Sequence, residues 1–150
     1  MGMVVNKVLN RKPPGSFWAI AMGALIWNAM GVFAYFSQMT ASSQQLAEAY
    51  PAAELAILEA TPVWATSAFA IAVFGGLIGA IVLLLRKSWA RIVFIISLAA
   101  VLVQHVWTFF LSGYLDLVPI TAAFFPLLVV VIGVFEIWYA GQAIKRGWLR

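Results

Sequence analysis

ALIWNAMGVFAYFSQM, residues 24 to 39, is an unbroken apolar and aromatic run with Asn28 near its middle. Such a run is either the inside of a soluble core or a segment whose solvent is lipid, and the rest of the chain decides between them. Of the 150 residues, 65% are hydrophobic and only 9% are charged, and the mean hydropathy is +1.01. A soluble domain of this length has too much surface to cover with so little charge. Lipid removes that demand. A bilayer's hydrocarbon is about 30 Å thick and takes roughly 20 apolar helical residues to cross. Working outward from the quoted run, stretches of that length are Phe17 to Met39, Pro62 to Leu85, Ile92 to Leu111 and Val118 to Ile144. The first is longer than the roughly 7–15 apolar residues of a cleavable signal, so it reads as a retained span. The expected fold is an all-α integral membrane protein. It is a single domain over residues 1 to 150, an antiparallel bundle of four transmembrane helices.

Charge placement sets the expected orientation. Lys7, Arg11 and Lys12 precede the first span, Arg86, Lys87 and Arg91 separate the second from the third, and Lys145, Arg146 and Arg150 follow the fourth. With four spans these segments share one face, which then holds all 9 lysines and arginines. The opposite face receives Glu48, Glu54, Glu59 and Asp116. The positive-inside rule puts both termini in the cytoplasm. The net charge of +4 is therefore a topology signal, with the basic clusters touching anionic headgroups of membrane lipids. No nucleic-acid partner is expected. The chain has no cysteine, which excludes disulfides, zinc–thiolate sites and covalently attached haem.

The segment before Gly15 is polar and basic and reads as a short cytoplasmic tail with a surface turn of helix. The Arg86 to Arg91 connection is tight, so spans two and three should be adjacent and antiparallel. The one long loop runs over residues 40 to 62. Its second half, PAAELAILEA, has proline at a first helical position and a helix-favouring composition. A short helix along the outer membrane surface is expected there, with Leu55 and Leu58 on one face.

In lipid, helices associate through small residues that allow close approach and polar residues that hydrogen-bond across. Each span carries such residues at alternating spacings of three and four. Span one has Ala21, Ala24, Asn28, Gly31, Tyr35 and Gln38, and span two has Thr61, Ala65, Ala68, Ala72, Gly75 and Gly79. Span three has Ser97, Ala100, Gln104 and Thr108, and span four has Ala122, Pro126, Val129, Gly133, Glu136, Ala140 and Ala143. Gly31, Ala72, Gly75, Gly79 and Gly133 are the expected points of closest helix packing. Met22, Leu25, Val32, Phe33 and Phe36 fall off the first seam and should face lipid. By helical rise Asn28 lies about 16 Å and Glu136 about 12 Å from the cytoplasmic face, less than one turn apart. Asn28 should therefore face the bundle interior with Glu136 as its partner. Gln104, at about 18 Å, completes an interior polar cluster.

His105 is rotated roughly 100° from Gln104 and lies beside the seam, at a ligand, subunit or partner contact. Tyr35 and Gln38 are the other candidates for such a contact. Glu136 is the only acid well inside a span, and an ionisable residue there is a functional hypothesis by default. It reads either as a proton-binding carboxylate used in transport or as a neutral acid that satisfies Asn28. His105 is the only histidine, so a bis-histidine site would need a dimer. No metal site and no cofactor are expected. Asp116 is in an outer loop and no serine is placed against His105, so no enzyme activity is expected. Pro126 should kink span four and free a backbone carbonyl about one turn earlier.

LIWNAMGVFAYFSQMT, ATPVWATSAFAIAVFGGLIGAIVLLLRKSWA and the closing KRGWLR resemble a family of small bacterial four-span membrane proteins loosely labelled sugar transporters. Trp27-Asn28, Thr61-Pro62 and Phe74-Gly75-Gly76 are the more specific parts of the resemblance, which covers nearly the whole chain. It implies a bacterial inner-membrane location. The family pattern often carries an aliphatic residue at the position of Glu136, so the resemblance gives that residue no shared role.

The first functional expectation is an accessory or structural subunit, packing against itself as a homo-oligomer or against a larger membrane complex. The alternative is a small-solute or proton-linked transporter or channel, oligomeric because four short helices enclose little volume. It calls for a hydrated cavity beside Asn28, Gln104 and Glu136. A further alternative is a pigment- or haem-associated subunit using His105.

Overall fold

The computed structural model describes residues 11–150, and every regular element in it is helical. Lys7 and the expected turn of helix in the tail lie outside the described residues. Helix α1 spans Gly15–Thr40. The helices α2, Ser43–Ala49, and α3, Ala52–Glu59, follow in the long loop. Helix α4 is Val63–Leu84, and α5 is Ala90–Val106, continued by a π-helical turn over Trp107–Leu111. After the short α6, Tyr114–Leu117, a 3-10 turn over Ile120–Ala123 leads into α7, Phe124–Lys145.

Prolines start three of these helices. Pro14, Pro51 and Pro62 are the residues just before α1, α3 and α4, where a missing amide costs the helix nothing. The helix expected in PAAELAILEA forms as α3, and Ile57 is its buried residue while Leu55 and Leu58 are half-buried. Helix α2 was not expected. Its signal is a capping box, in which the Ser42 hydroxyl accepts from Gln45 N and the Gln45 side chain accepts from Ser42 N.

The long helices α1, α4, α5 with its π-turn, and α7 with its 3-10 turn are each apolar and long enough to cross a membrane. Large apolar side chains such as Phe33, Phe110, Ile120 and Phe124 point away from the bundle. The interior instead uses Ala21, Ala65, Ala80, Ala90, Ala140 and Ala143, all fully buried. This inside-out distribution suits lipid as the solvent. Leu25 and Val32 depart from the expectation that they face lipid. Both are half-buried, and Leu25 packs on the buried cluster at the basic end, where side chains fill the space between the helices.

The helices pack in chain order: α1 on α4, α4 on α5, α5 on α7. The backbones of α1 and α7 scarcely approach each other, so the bundle is a horseshoe whose gap is crossed by side chains. At the end holding the basic residues the gap is filled. Phe17, Leu83 and Phe94 are almost completely buried there, and Phe17 stacks on Tyr139 at 6.3 Å. Gly79 makes room for Phe94, since a Cβ on it would stand 2.8 Å from the ring. Gly79→Val should therefore destabilise the bundle by about 1–3 kcal/mol of overpacking, read as a shifted unfolding midpoint in mixed micelles.

The same end is tied by polar contacts. Arg86, in the left-handed region at φ 58°, donates from Nε to Trp148 O at 2.8 Å and from Nη2 to Arg11 O at 2.9 Å. Its own carbonyl accepts from Arg150 N at 2.8 Å. One side chain thus joins the connection between α4 and α5 to the segments before α1 and after α7.

Pro126 does not kink a long helix. It is the third residue of α7, in the first turn, where backbone amides have no intrahelical acceptor. The irregularity lies earlier, in the 3-10 turn. The carbonyl one turn before Pro126, that of Ala122, accepts from the Tyr114 hydroxyl at 3.4 Å. That hydroxyl titrates above its usual value, first through burial and then through the negative charge of Glu54 on α3.

Candidate functional site

At the level of Asn28 the horseshoe stops being filled, and a cavity of about 400 Å³ opens among all four long helices. Its floor is polar. Asn28 Nδ2 donates to Ala24 O at 2.9 Å and to Glu136 Oε1 at 2.6 Å. A backbone carbonyl only accepts, so the contact with Ala24 fixes which end of the amide is which. Asn28 thus faces the interior and Glu136 is its partner, as the depths predict. Glu136 is only 7% exposed, and its Oε2 makes no hydrogen bond among the described residues. Ser97, beside them, is committed to Ala72 O at 2.6 Å.

The floor depends on a residue the seams passed over. Gly76 is buried, and a Cβ on it would overlap the Asn28 carboxamide oxygen, with the carboxamide carbon at 2.9 Å. Its signal was present in the Gly75-Gly76 pair. A single three-four series can hold only one of two adjacent glycines, and it held Gly75. Of the expected packing points, a Cβ on Gly31 would stand 3.4 Å from Val73, one on Gly75 3.2 Å from Ser97 and one on Gly133 3.0 Å from Leu98. Gly79 receives Phe94, and Ala72 is buried on the cavity wall.

The other polar group is higher on α5. Gln104 Nε2 donates to Thr108 Oγ1 at 3.3 Å, and its Oε1 lies 2.9 Å from His105 Nδ1. His105 Nε2 lies 3.2 Å from Pro126 O, and the ring packs edge-on to Phe109. His105 is thus on the cavity wall and bonded to α7, not on an outward face. The three-four seam holds only one of two adjacent residues and held Gln104, whereas the cavity is lined by both. Gln104 joins His105 and Thr108 and makes no contact with Asn28 or Glu136, so the expected cluster is divided between two levels. Tyr35 sits edge-on to Phe69 and Phe74 and lines a separate shallow groove with Thr61 and Thr66. Gln38 is half-buried at the far end of α1 and lines neither space.

The cavity opens sideways, through the gap between α1 and α7. Trp27, Met30 and Ala34 line it from α1 and Phe125 and Val129 from α7, and the rings of Trp27 and Phe125, with centroids 6.2 Å apart, touch across the gap. Met30, Ala34 and Phe125 are exposed on the outside of the bundle. Toward the basic end the space is bounded by Phe94, which is itself almost completely buried.

Fold and site together define a small all-helical protein with four membrane-length helices and an internal, laterally open cavity. Comparisons with protein-family profiles, with curated proteins and with solved structures give no match.

Proposed function

We propose that this protein is a small-solute carrier of a bacterial inner membrane, with both termini in the cytoplasm. The observation that supports this reading is the cavity. A subunit that serves only to pack has no reason to leave about 400 Å³ open at the level of its only intramembrane acid. The volume lies within the usual range for small-molecule sites, about 300–1,000 Å³. One chain encloses it, so the oligomer that a transport reading required for volume is not needed. The filled basic end argues for a carrier rather than a pore, since transport would require that end to open in its turn. The basic termini and the resemblance to four-span proteins labelled sugar transporters are in keeping with this reading. Glu136 and His105 stand about 12 Å apart, judged by the rise from Ser97 to His105, too far for an acid–base pair.

The natural absence of cysteine makes the test direct. In proteoliposomes, Val101→Cys on the cavity wall should react with a small neutral thiol reagent. Ala80→Cys, buried at the basic end, should react from that side only while the carrier turns over. A Val101→Cys protein that never reacts would end the carrier reading.

A second reading, the accessory subunit, is favoured by one face. Ser16, Ala19 and Gly23 are exposed in line on α1, and nothing lies within 4 Å of where a Gly23 side chain would begin. If copies of the chain or a larger complex pack there, Gly23→Leu should reduce the native particle to a monomer in mass measurements. An unchanged particle mass would show that this face is not the interface.

A further inference from the structure

This inference rests on the solute-binding reading and names the chemistry of the solute. We infer that the cavity takes a lipophilic organic cation, an amine or quaternary ammonium on an apolar body, drawn sideways from the bilayer between α1 and α7 with its charge against Glu136.

Hydrogen-bond accounting selects the sign of the charge. Both amide hydrogens of Asn28 are spent, on Ala24 O and Glu136 Oε1. The Ser97 hydroxyl is spent on Ala72 O. What the floor still offers is acceptors only: the Asn28 carboxamide oxygen, and Glu136 Oε2 on a side chain only 7% exposed, neither of which receives a hydrogen bond among the described residues. At the upper level the two ring nitrogens of His105 face Gln104 Oε1 and Pro126 O, and a neutral imidazole donates to only one of them, which leaves the other acceptor open. A ligand that only accepts would find little there, whereas a donor or a cation would complete the carboxylate. Trp27, Phe69, Phe94 and Phe125 are on the walls, and aromatic faces attract a desolvated cation.

A proton competes for the same oxygen, so binding should strengthen as pH rises. The groups that set this competition are few. Asn28 faces Glu136 from α1, while α4 presents Ala72 and Gly76, and α5 presents Ser97 and Leu98. His105 is the other titratable side chain on the wall, at the far level. Tyr139 lies one turn away on α7, and the Arg91 guanidinium lies farther toward the basic end, 3.3 Å from where a Gly141 Cβ would be. Access from the bilayer explains the apolar body, because Met30 and Phe125 line the cavity from α1 and α7 and are also exposed on the outside of the bundle.

The test uses the full chain with Val101→Cys in phosphatidylcholine nanodiscs and follows the rate of labelling by N-ethylmaleimide. Dodecyltrimethylammonium should slow labelling about tenfold at a concentration where its uncharged isostere, with carbon in place of nitrogen, has little effect. Protection should grow with pH and be lost in Glu136→Gln. Should that variant fold poorly, the pH series on the Glu136 protein and Glu136→Asp, which keeps the charge, give the same readout. Equal protection by cation and isostere would overturn the cation proposal while leaving a solute-binding cavity. Protection by neither would overturn it as well. A cysteine that never reacts would instead remove the cavity reading on which the proposal rests.

Discussion

Gly76→Ala is expected to destabilise the bundle by about 2–6 kcal/mol, a large effect for the addition of one methyl group. Two costs combine. Overfilling a packed interior costs about 1–3 kcal/mol, and here the displaced group is the Asn28 carboxamide, which a Cβ at Gly76 would overlap. Moving it breaks the bond to Glu136, and a buried polar group left unpaired costs about 1–3 kcal/mol more. The neighbours leave no easy retreat, since Ser97 Oγ would be 3.4 Å from the same Cβ. The check is a double-mutant cycle on unfolding free energies in mixed micelles. In an Asn28→Ala background the methyl group gains space, so most of the penalty should vanish. Equal costs in both backgrounds would mean that Gly76 is needed for something other than Asn28.

The next largest effect should come from stranding Glu136. Asn28→Leu is expected to cost about 2–3 kcal/mol, and Asn28→Leu with Glu136→Leu together much less than that. The lost hydrogen bond itself is the smaller part. Side-chain hydrogen bonds between membrane helices average only about 0.6 kcal/mol, because the unfolded helices in lipid also find partners. The greater part is the carboxyl left without a donor on a side chain that is only 7% exposed. If the double substitution is as damaging as the single one, the pair is serving packing rather than polar satisfaction. The same comparison bears on function. A leucine pair that folds well and in which the cation still protects Val101→Cys from labelling would remove Glu136 from recognition.

The two levels of polar residues show where sequence reasoning stops. Asn28 and Glu136 could be paired from sequence because each lies on a straight helix, where counting residues gives depth and rotation together. Gln104 and His105 could not be placed in the same way. The π-turn at Trp107–Leu111 and the 3-10 turn at Ile120–Ala123 alter both rise and rotation near that level. Sequence counting groups Gln104 with Asn28 and puts His105 beside the seam at a ligand, subunit or partner contact; the structure joins Gln104 to His105 and bonds His105 to α7. Pro126 is a related case. Its position in the first turn of α7 follows from where the helix begins, and a continuous apolar run gives no sign of that start.

What the sequence by itself determined is the number, length and small-residue faces of the long helices, and the pairing of Asn28 with Glu136. These follow from hydrophobic length and helical period, which are properties of single segments. Only the tertiary structure decided that α1 and α7 stand apart, that Gly76 rather than Gly75 receives the asparagine, and that the bundle is filled at one end and hollow beyond it. Those depend on how far four helices splay, and the splay is set by bulky residues at the basic end, Phe17 and Phe94 among them, acting on partners distant in the chain.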